Sequence, residues 1–267
     1  MIRRKAEVMS DNNGRYNLTE LLTCVAASFL QDGKSVFVGT GIPMVAAMLA
    51  QRTHAKNILI IFEAGGIGPI VPELPISVGD SRTFHKEIAA SSMHDVMSAC
   101  QNGYIDFSFL GGAALDKYGN LNTTVIGDWA KPKVRLPGSG GANDLGSFSW
   151  KTIILMRGQS PRTFVDKLDF ITTPGFLGGP GCREESGLPI NTGPFRVITQ
   201  LGVYGFEGKS KRMELLAVHP GVSVSEALAA SSFEILVNDS VTTTPEPTDE
   251  QLHILRTIDP TGMVIGK

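Results

Sequence analysis

The sequence is short of several features that would name a function at once. It holds three cysteines, Cys24, Cys100 and Cys182, an odd number with no Cys-x-x-Cys pair. Neither a disulfide framework nor a zinc site is therefore indicated. Its five histidines, His54, His85, His94, His219 and His253, show no HxxxH or HExxH spacing, so no metal site is expected. A GxSxG elbow and a P-loop are both missing, which leaves serine hydrolase and nucleoside triphosphatase readings without support. No apolar run approaches the roughly 20 residues of a membrane helix; the densest, Ile58 to Phe62, has the length of a strand. Charge is scarce as well. Charged residues make up 19% of the chain with a net charge of −2, below the roughly 25% usual in soluble domains. That gives no electrostatic footprint for nucleic acid and hints at surface covered by a partner. Arg3, Arg4 and Lys5 are followed by the polar Ser10-Asp11-Asn12-Asn13, where a signal peptide needs an apolar stretch, so a cytoplasmic location is expected.

What is present is apolar and rich in glycine. The 267 residues are 42% hydrophobic, with 30 glycines, and nothing marks a linker or an internal repeat. One α/β domain over residues 1–267 is expected. Leu18, Leu21, Leu22, Val25 and Phe29 recur at helical spacing behind the N-cap candidate Asn17, and Gly33 closes that helix. Ser35 to Val38 reads as a strand, Gly39-Thr40-Gly41 as a turn, and Pro43 as the start of a helix to about Gln51. A second strand covers Asn57 to Phe62. Helical patterning then covers Phe84 to Cys100, and Ile105 to Leu110 reads as a strand. Further strands are expected at Thr152 to Met156, Arg196 to Gln200 and Leu215 to Val218. Helices are expected from Ser223 to Ala230 and from Thr248 to Arg256. The strands are continuous apolar runs rather than alternating ones, which predicts an open, mostly parallel sheet with helices on both faces. Cys24 and Cys100 read as helical core thiols, and Cys182 as more exposed.

In such a sheet, ligands bind at the carboxyl ends of the strands, and here those ends are made of glycine. Gly39-Thr40-Gly41 invites a dinucleotide site with Glu63 on the ribose. However, Met44 occupies the place of the third glycine of the fingerprint, and a bare tight turn is the alternative. Glu63 ends a strand and opens Glu63-Ala64-Gly65-Gly66-Ile67-Gly68-Pro69, a turn that lets another backbone or a substrate come close. It is either a reacting carboxylate or a cap or surface partner. Gly111-Gly112-Ala113 closes a third strand in the same way. Gly138-Ser139-Gly140-Gly141-Ala142-Asn143 presents backbone N–H groups suited to an oxyanion or a ligand amide, or else is a flexible loop. The stretch Pro174 to Pro194, with six glycines and four prolines, is long for a loop inside a compact domain, and an interface or lid is expected there. Arg82, Lys86 and Arg183 are candidate carboxylate binders, with surface solvation the alternative.

Taken in order, Val38-Gly39-Thr40-Gly41-Ile42-Pro43, the Glu63 turn, Gly111-Gly112-Ala113, Asp116 to Asn122 and Gly138 to Asn143 resemble the β-subunits of class I coenzyme A transferases. The similarity is greatest to the glutaconate CoA-transferase type. Val218-His219-Pro220-Gly221-Val222 and Ala230-Ser231-Ser232-Phe233-Glu234 fit the same group. The resemblance implies that fold, with Glu63 as catalytic nucleophile and Gly138, Gly140, Gly141, Ala142 and Asn143 as oxyanion and CoA contacts. It assigns Gly39, Thr40, Gly41, Gly111 and Gly112 to substrate binding. It further implies transfer of coenzyme A, a substrate rather than a cofactor, from an acyl-CoA to a small dicarboxylic acid through a glutamyl-CoA thioester. The partner would be a homologous α-subunit in an α2β2 assembly. One departure from the family pattern is Ala64, where a serine or asparagine often follows the glutamate. Relatives include a glutaconyl-CoA-type decarboxylase and a ring-opening acyl-CoA hydrolase of steroid degradation, which stand as the alternative. A non-enzymatic sugar- or nucleotide-binding subunit is a third reading, since fold alone does not fix function.

Overall fold

The computed structural model describes residues 14–266; Arg3, Arg4, Lys5 and residues 10–13 lie outside them. The first half runs α1 (Leu18–Ser28), β1 (Ser35–Val38), α2 (Ile42–Arg52), β2 (Leu59–Phe62), β3 (Gly66–Ile67), β4 (Ala89–Ala90), α3 (Met93–Gln101) and β5 (Phe107–Leu110). Short pairs β6 (Ala114–Leu115), β7 (Leu121–Asn122), β8 (Val125–Gly127) and β9 (Pro132–Arg135) follow, then α4 (Ala142–Phe148) and β10 (Lys151–Leu155). The chain continues with α5 (Cys182–Glu185), β11 (Pro194–Ile198), β12 (Gly202–Phe206), β13 (Met213–Val218), α6 (Val224–Ala229), β14 (Leu236–Thr243) and α7 (Asp249–Ile258).

Ten strands form one sheet in the order β14-β13-β12-β11-β10-β5-β1-β2-β3-β4. The centre, β11-β10-β5-β1-β2, is parallel throughout, as the unbroken apolar strands predict. The antiparallel pairs lie towards the two edges. Every residue of β1 and β5 is buried, and their side chains divide by the period of two. Val36, Val38, Ile60, Phe62, Phe107 and Phe109 enter one core with α1, α2 and α7. Phe37, Ile61, Leu110 and Ile154 enter a second core with α3, α4 and α6. Among the described residues, no helix is long and apolar enough to cross a membrane.

Local signals hold at most boundaries. Asn17 caps α1 in a capping box with Glu20, and Ser223 and Thr248 cap α6 and α7 in the same way. Gly33, with φ +71°, turns the chain beyond α1, whose C-cap is Phe29. The expected helix from Phe84 to Cys100 is corrected: Phe84 ends a single 3-10 turn, Ser81–Phe84, and the α-helix begins only at Met93. Ser92 and Asp95 form a capping box that starts α3 there. Ahead of it, Lys86 turns at φ 53° and Ala89–Ala90 pairs with β3. The glycine motif before β10 contains an unforeseen helix, α4, with Gly141 as N-cap.

Residues 174–194 are tied to the body at several points, which suits a wall better than a lid. The buried Asp116 carboxylate accepts from the backbone of Tyr118 and Asn120 and from Asn120 Nδ2. Asn120 Oδ1 in turn accepts from Gly175 and Leu177 N–H. A Cβ at Gly175 would overlap the Tyr118–Asn120 backbone, so only glycine permits that approach. Arg183 is 1% exposed, which overturns its reading as a solvated cation. Its guanidinium donates to the carbonyls of Pro174, Gly175, Gly146 and Ser147 and to Thr192 Oγ1. It thereby ties the loop to the last turn of α4, where a cation also suits the helix dipole. Burial pulls its pKa down to about 10, still charged at neutral pH. Cys24 and Cys100 are buried as expected and Cys182 is half-buried; burial raises the first two thiols to about 12 and about 11.

Replacing Arg183 by Met leaves buried carbonyls unpaired and should cost about 3 kcal/mol or more. A lower urea midpoint at unchanged m would register it. Arg183→Lys should recover little, because a point charge cannot span both sides of the contact. His219 is 2% exposed. Its Nε2–H donates to the Thr199 carbonyl, and Nδ1 accepts from Thr244 Oγ1. Burial lowers its pKa below 6.5. As pH falls the unfolded chain takes up this proton first, so stability should drop below about pH 6.5. The thermal midpoint of His219→Gln should depend less on pH in that window.

Candidate functional site

Because β10, β5, β1 and β2 run parallel, their carboxyl ends share one edge of the sheet. The residues just past those ends are Arg157, Gly111, Gly39-Thr40-Gly41 and Glu63. A crevice of about 400 Å³ opens there. Its walls include Gly39, Thr40, Gly41, Gly111, Gly138, Ser139 and Ala142. Two of the glycine-rich strand ends, Gly39–Gly41 and Gly111, meet there with Gly138 from the later glycine segment. Gly112 sits behind the wall, where a Cβ would lie 3.2 Å from the Ala114 carbonyl.

Glu63 stands beside this crevice. The turn that carries it is held by close backbone packing. A Cβ at Gly65 would overlap the Ser91 carbonyl, and one at Gly66 the Thr83 carbonyl. Gly65 also adopts φ +114°, which strains any other residue. Ser91 N–H donates to Gly65 O and Gly68 N–H to Ile60 O, closing the turn against β2 and the approach to α3. The glycines therefore admit neighbouring backbone, the first of the two uses foreseen for them. Glu63 is half-buried, and among the described residues its carboxylate makes no hydrogen bond or ion pair. Its Oε1 lies 3.4 Å from where a Cβ of Gly141 would stand, and Met97 Cε crowds the same point. A buried or salt-bridged glutamate would have defeated a chemical role. This one is neither.

The segment opposite comes from far along the chain and is built around Thr123. Thr123 O accepts from Gly138 N–H, and Thr123 Oγ1 donates to Gly138 O. Gly138 and Gly140 take φ +93° and +50°. Among the described residues, the N–H groups of Ser139, Gly140 and Gly141 find no acceptor, and Gly141 is the one of the three placed against Glu63. Asn143 donates from Nδ2 to the Thr172 carbonyl and from its backbone N–H to Ser139 Oγ, which assigns its amide group to holding the segment. The N-terminus of α2 also opens on the crevice, with Gly41 as N-cap and no side chain capping it, a setting that favours anions.

The cations divide differently from expectation. Arg82 is engaged by Asp80 through Nε at 3.0 Å and Nη2 at 2.6 Å, and the pair holds the Asp80 carboxyl well below its usual range. Lys86 lies on the exposed stretch before β4, and Arg183 is spent on carbonyls. The cation in the crevice wall is Arg157, which the sequence reading passed over. The signal was available: like Glu63, it is the first charged residue past a parallel strand. His219 and its hydrogen bonds belong to the β13 end of the sheet, five strands from β1.

Comparison with known proteins identifies the family and the fold. Residues 20–229 match the coenzyme A transferase family. The chain is 38% identical to the β-subunit of 3-oxoadipate CoA-transferase of Pseudomonas knackmussii, covering 91% of this chain and 94% of that one. It is also 38% identical to the β-subunit of glutaconate CoA-transferase of Acidaminococcus fermentans, over 92% and 93%. The crystal structure of glutaconate CoA-transferase from that organism superposes with a TM-score of 0.89 at 35% identity, covering 95% and 98%. The decarboxylase AibA/AibB superposes with a TM-score of 0.80 at 25% identity, over 94% and 99%. With the family matched over most of the chain and the β-subunits of two such enzymes at this identity, the protein belongs to the coenzyme A transferases, as a subunit of the β type.

Proposed function

We propose that Glu63 is the nucleophile that carries coenzyme A between an acyl-CoA and a small dicarboxylic acid, in an enzyme completed by a homologous α-subunit. The observation that carries this reading is an unpaired carboxylate at the carboxyl end of β2, set against Gly141 in a segment whose N–H groups at 139–141 are unengaged. A Glu63 oxygen attacks the thioester carbonyl, and the tetrahedral oxyanion accepts hydrogen bonds from those N–H groups. Each such donor typically contributes about 3–4 kcal/mol. Collapse expels CoA thiolate and leaves a mixed anhydride. The thiolate then attacks the Glu63 carbonyl carbon, releasing the donor acid and forming a glutamyl-CoA thioester. The acceptor carboxylate repeats the steps in reverse. Carboxylate is a weak nucleophile, and binding of the long CoA body, remote from the reacting atoms, supplies free energy for the climb.

Transfer is preferred to decarboxylation because the two relatives at 38% identity are transferases, whereas the decarboxylase stands at 25%. Both transferases are named for dicarboxylic acids, which suggests that substrate class. An α-subunit partner fits the apolar rim beside the Glu63 turn. There Ile70, Ile76, Ile88 and Met93 are 55–77% exposed around β4, the last strand on that side of the sheet.

Co-expressed with its partner subunit and incubated with an acyl-CoA, the enzyme should give a peptide containing Glu63 with CoA attached. Borohydride added at that stage should abolish turnover. Glu63→Gln and Glu63→Ala should lower kcat by at least about 10³-fold, a size consistent with loss of a covalent nucleophile; full activity in Glu63→Ala would end the proposal. Gly65→Ala, which drives a methyl group into the Ser91 carbonyl, should lower both the thermal midpoint and thioester yield, with a stability loss of about 2 kcal/mol or more.

A further inference from the structure

Arg157 is the first residue beyond Met156, and its position is firmer than its exposure suggests. Met156 N–H donates to Ile198 O, which fixes the chain on one side. On the other, Gln159 is clamped by five hydrogen bonds. Its N–H donates to Gln200 Oε1 and its Nε2 to Ala227 O; its Oε1 accepts from Thr199 and Tyr204 hydroxyls, and its carbonyl from Gln200 Nε2. Between these two anchors, the guanidinium has no hydrogen-bond or ion-pair partner among the described residues. It is the single charged side chain among the described residues lining the crevice. No carboxylate in that wall neutralises it, and the uncapped start of α2 lies in the same wall. A cation held on a fixed backbone, left unpaired in a wall otherwise lacking charge, is arranged to meet an anion that arrives with the substrate.

We infer that Arg157 binds the distal carboxylate of the dicarboxylic substrate, the one that does not react, and so sets the enzyme's preference for diacids over monoacids. This rests on the transferase reading and adds to it a specificity residue on β10. Neighbouring strands stand about 4.8 Å apart. The three steps from β2 through β1 and β5 to β10 therefore separate the Glu63 and Arg157 main chains by about 14 Å. The two side chains and a short diacid can together bridge that distance. The phosphates of CoA lie at the far end of the pantetheine arm and would overshoot it. A guanidinium is also suited to a carboxylate by its planar, two-pronged donor set.

The test uses the complex with the partner subunit and compares glutarate with butyrate as acceptors, taking the ratio of their kcat/KM values. In Arg157→Gln that ratio should fall by about 10- to 100-fold, the range of one charge-assisted contact. Arg157→Lys, which keeps the charge but not the two-pronged donor set, should retain only part of the preference. Equal loss on both acids, or a loss that appears only as a raised KM for the CoA thioester, would place Arg157 on the phosphates or in a structural role and overturn the inference. An unchanged ratio would overturn it as well. Thioester trapping on Glu63 in the unaltered enzyme checks the transferase reading separately. If that trap fails, calorimetric binding of glutarate and butyrate to the unaltered and Arg157→Gln complexes still decides. The inference stands if the variant loses its preference for glutarate and falls if both proteins bind the two acids alike.

Discussion

The parallel pairing of β2, β1, β5 and β10 is the constraint on which the site depends. Val38 is opposite Phe62, and Ile154 is opposite Leu110, so successive strands stop nearly level at one edge. Each return to the start of the next strand has to cross a face of the sheet. The helices that make the crossings bury both faces and leave the carboxyl edge free. Glycine at those ends keeps the edge low, and the crevice forms where side chains are missing. A reversed strand in this set would carry its loop to the opposite edge and divide the site.

The side of the crevice formed by residues 138–143 has a different origin. It does not belong to a strand end but is delivered by a long excursion after β5, and its position depends on buried polar contacts. Thr123 fixes Gly138, Asn143 fixes the segment to Thr172, and Arg183 fixes the last turn of α4 to residues 174–194. Asp116 and Asn120 hold those residues from the other side. Burial makes such contacts costly to break, because an unpaired carbonyl or amide left inside cannot return to water. This network holds in place the segment whose Gly141 meets Glu63.

Charge is distributed to the same end. The polypeptide has few charged side chains, and many of those near the site are already engaged: Asp80 with Arg82, and Asp95 within the α3 capping box. Among the described residues, Glu63 and Arg157 have no hydrogen-bond or ion-pair partner, and they stand one at each end of the four-strand edge. Glu63 follows β2 directly and Arg157 follows β10 after one residue, both are held on closely tied backbone, and neither is neutralised by the fold.

Much of this was legible in the sequence because it rests on local signals. Mainly apolar runs at 35–38, 57–62 and 105–110 predict strands buried on both faces, and the glycines that follow within three residues predict close turns. Glu63 is marked by standing where apolar strand gives way to glycine. Capping residues Asn17, Ser223 and Thr248 mark their helices within a residue or two. The false helix at 84–92 arose because apolar spacing there mimics a helix, while pairing with β3, a contact from elsewhere in the chain, draws residues 89–90 into the sheet. What only the tertiary structure decided is which charges are free. Arg82, Arg157 and Arg183 look alike in sequence, yet one is paired with a neighbouring carboxylate, one is buried among carbonyls and one faces the crevice unpaired. The meeting of Glu63 with Gly141 was settled in the same way. The sequence by itself determines the fold class and the carboxylate at the strand end, because backbone periodicity and turn chemistry act over a few residues. Which partner a charge or a glycine meets depends on surfaces that come together only when the chain is folded.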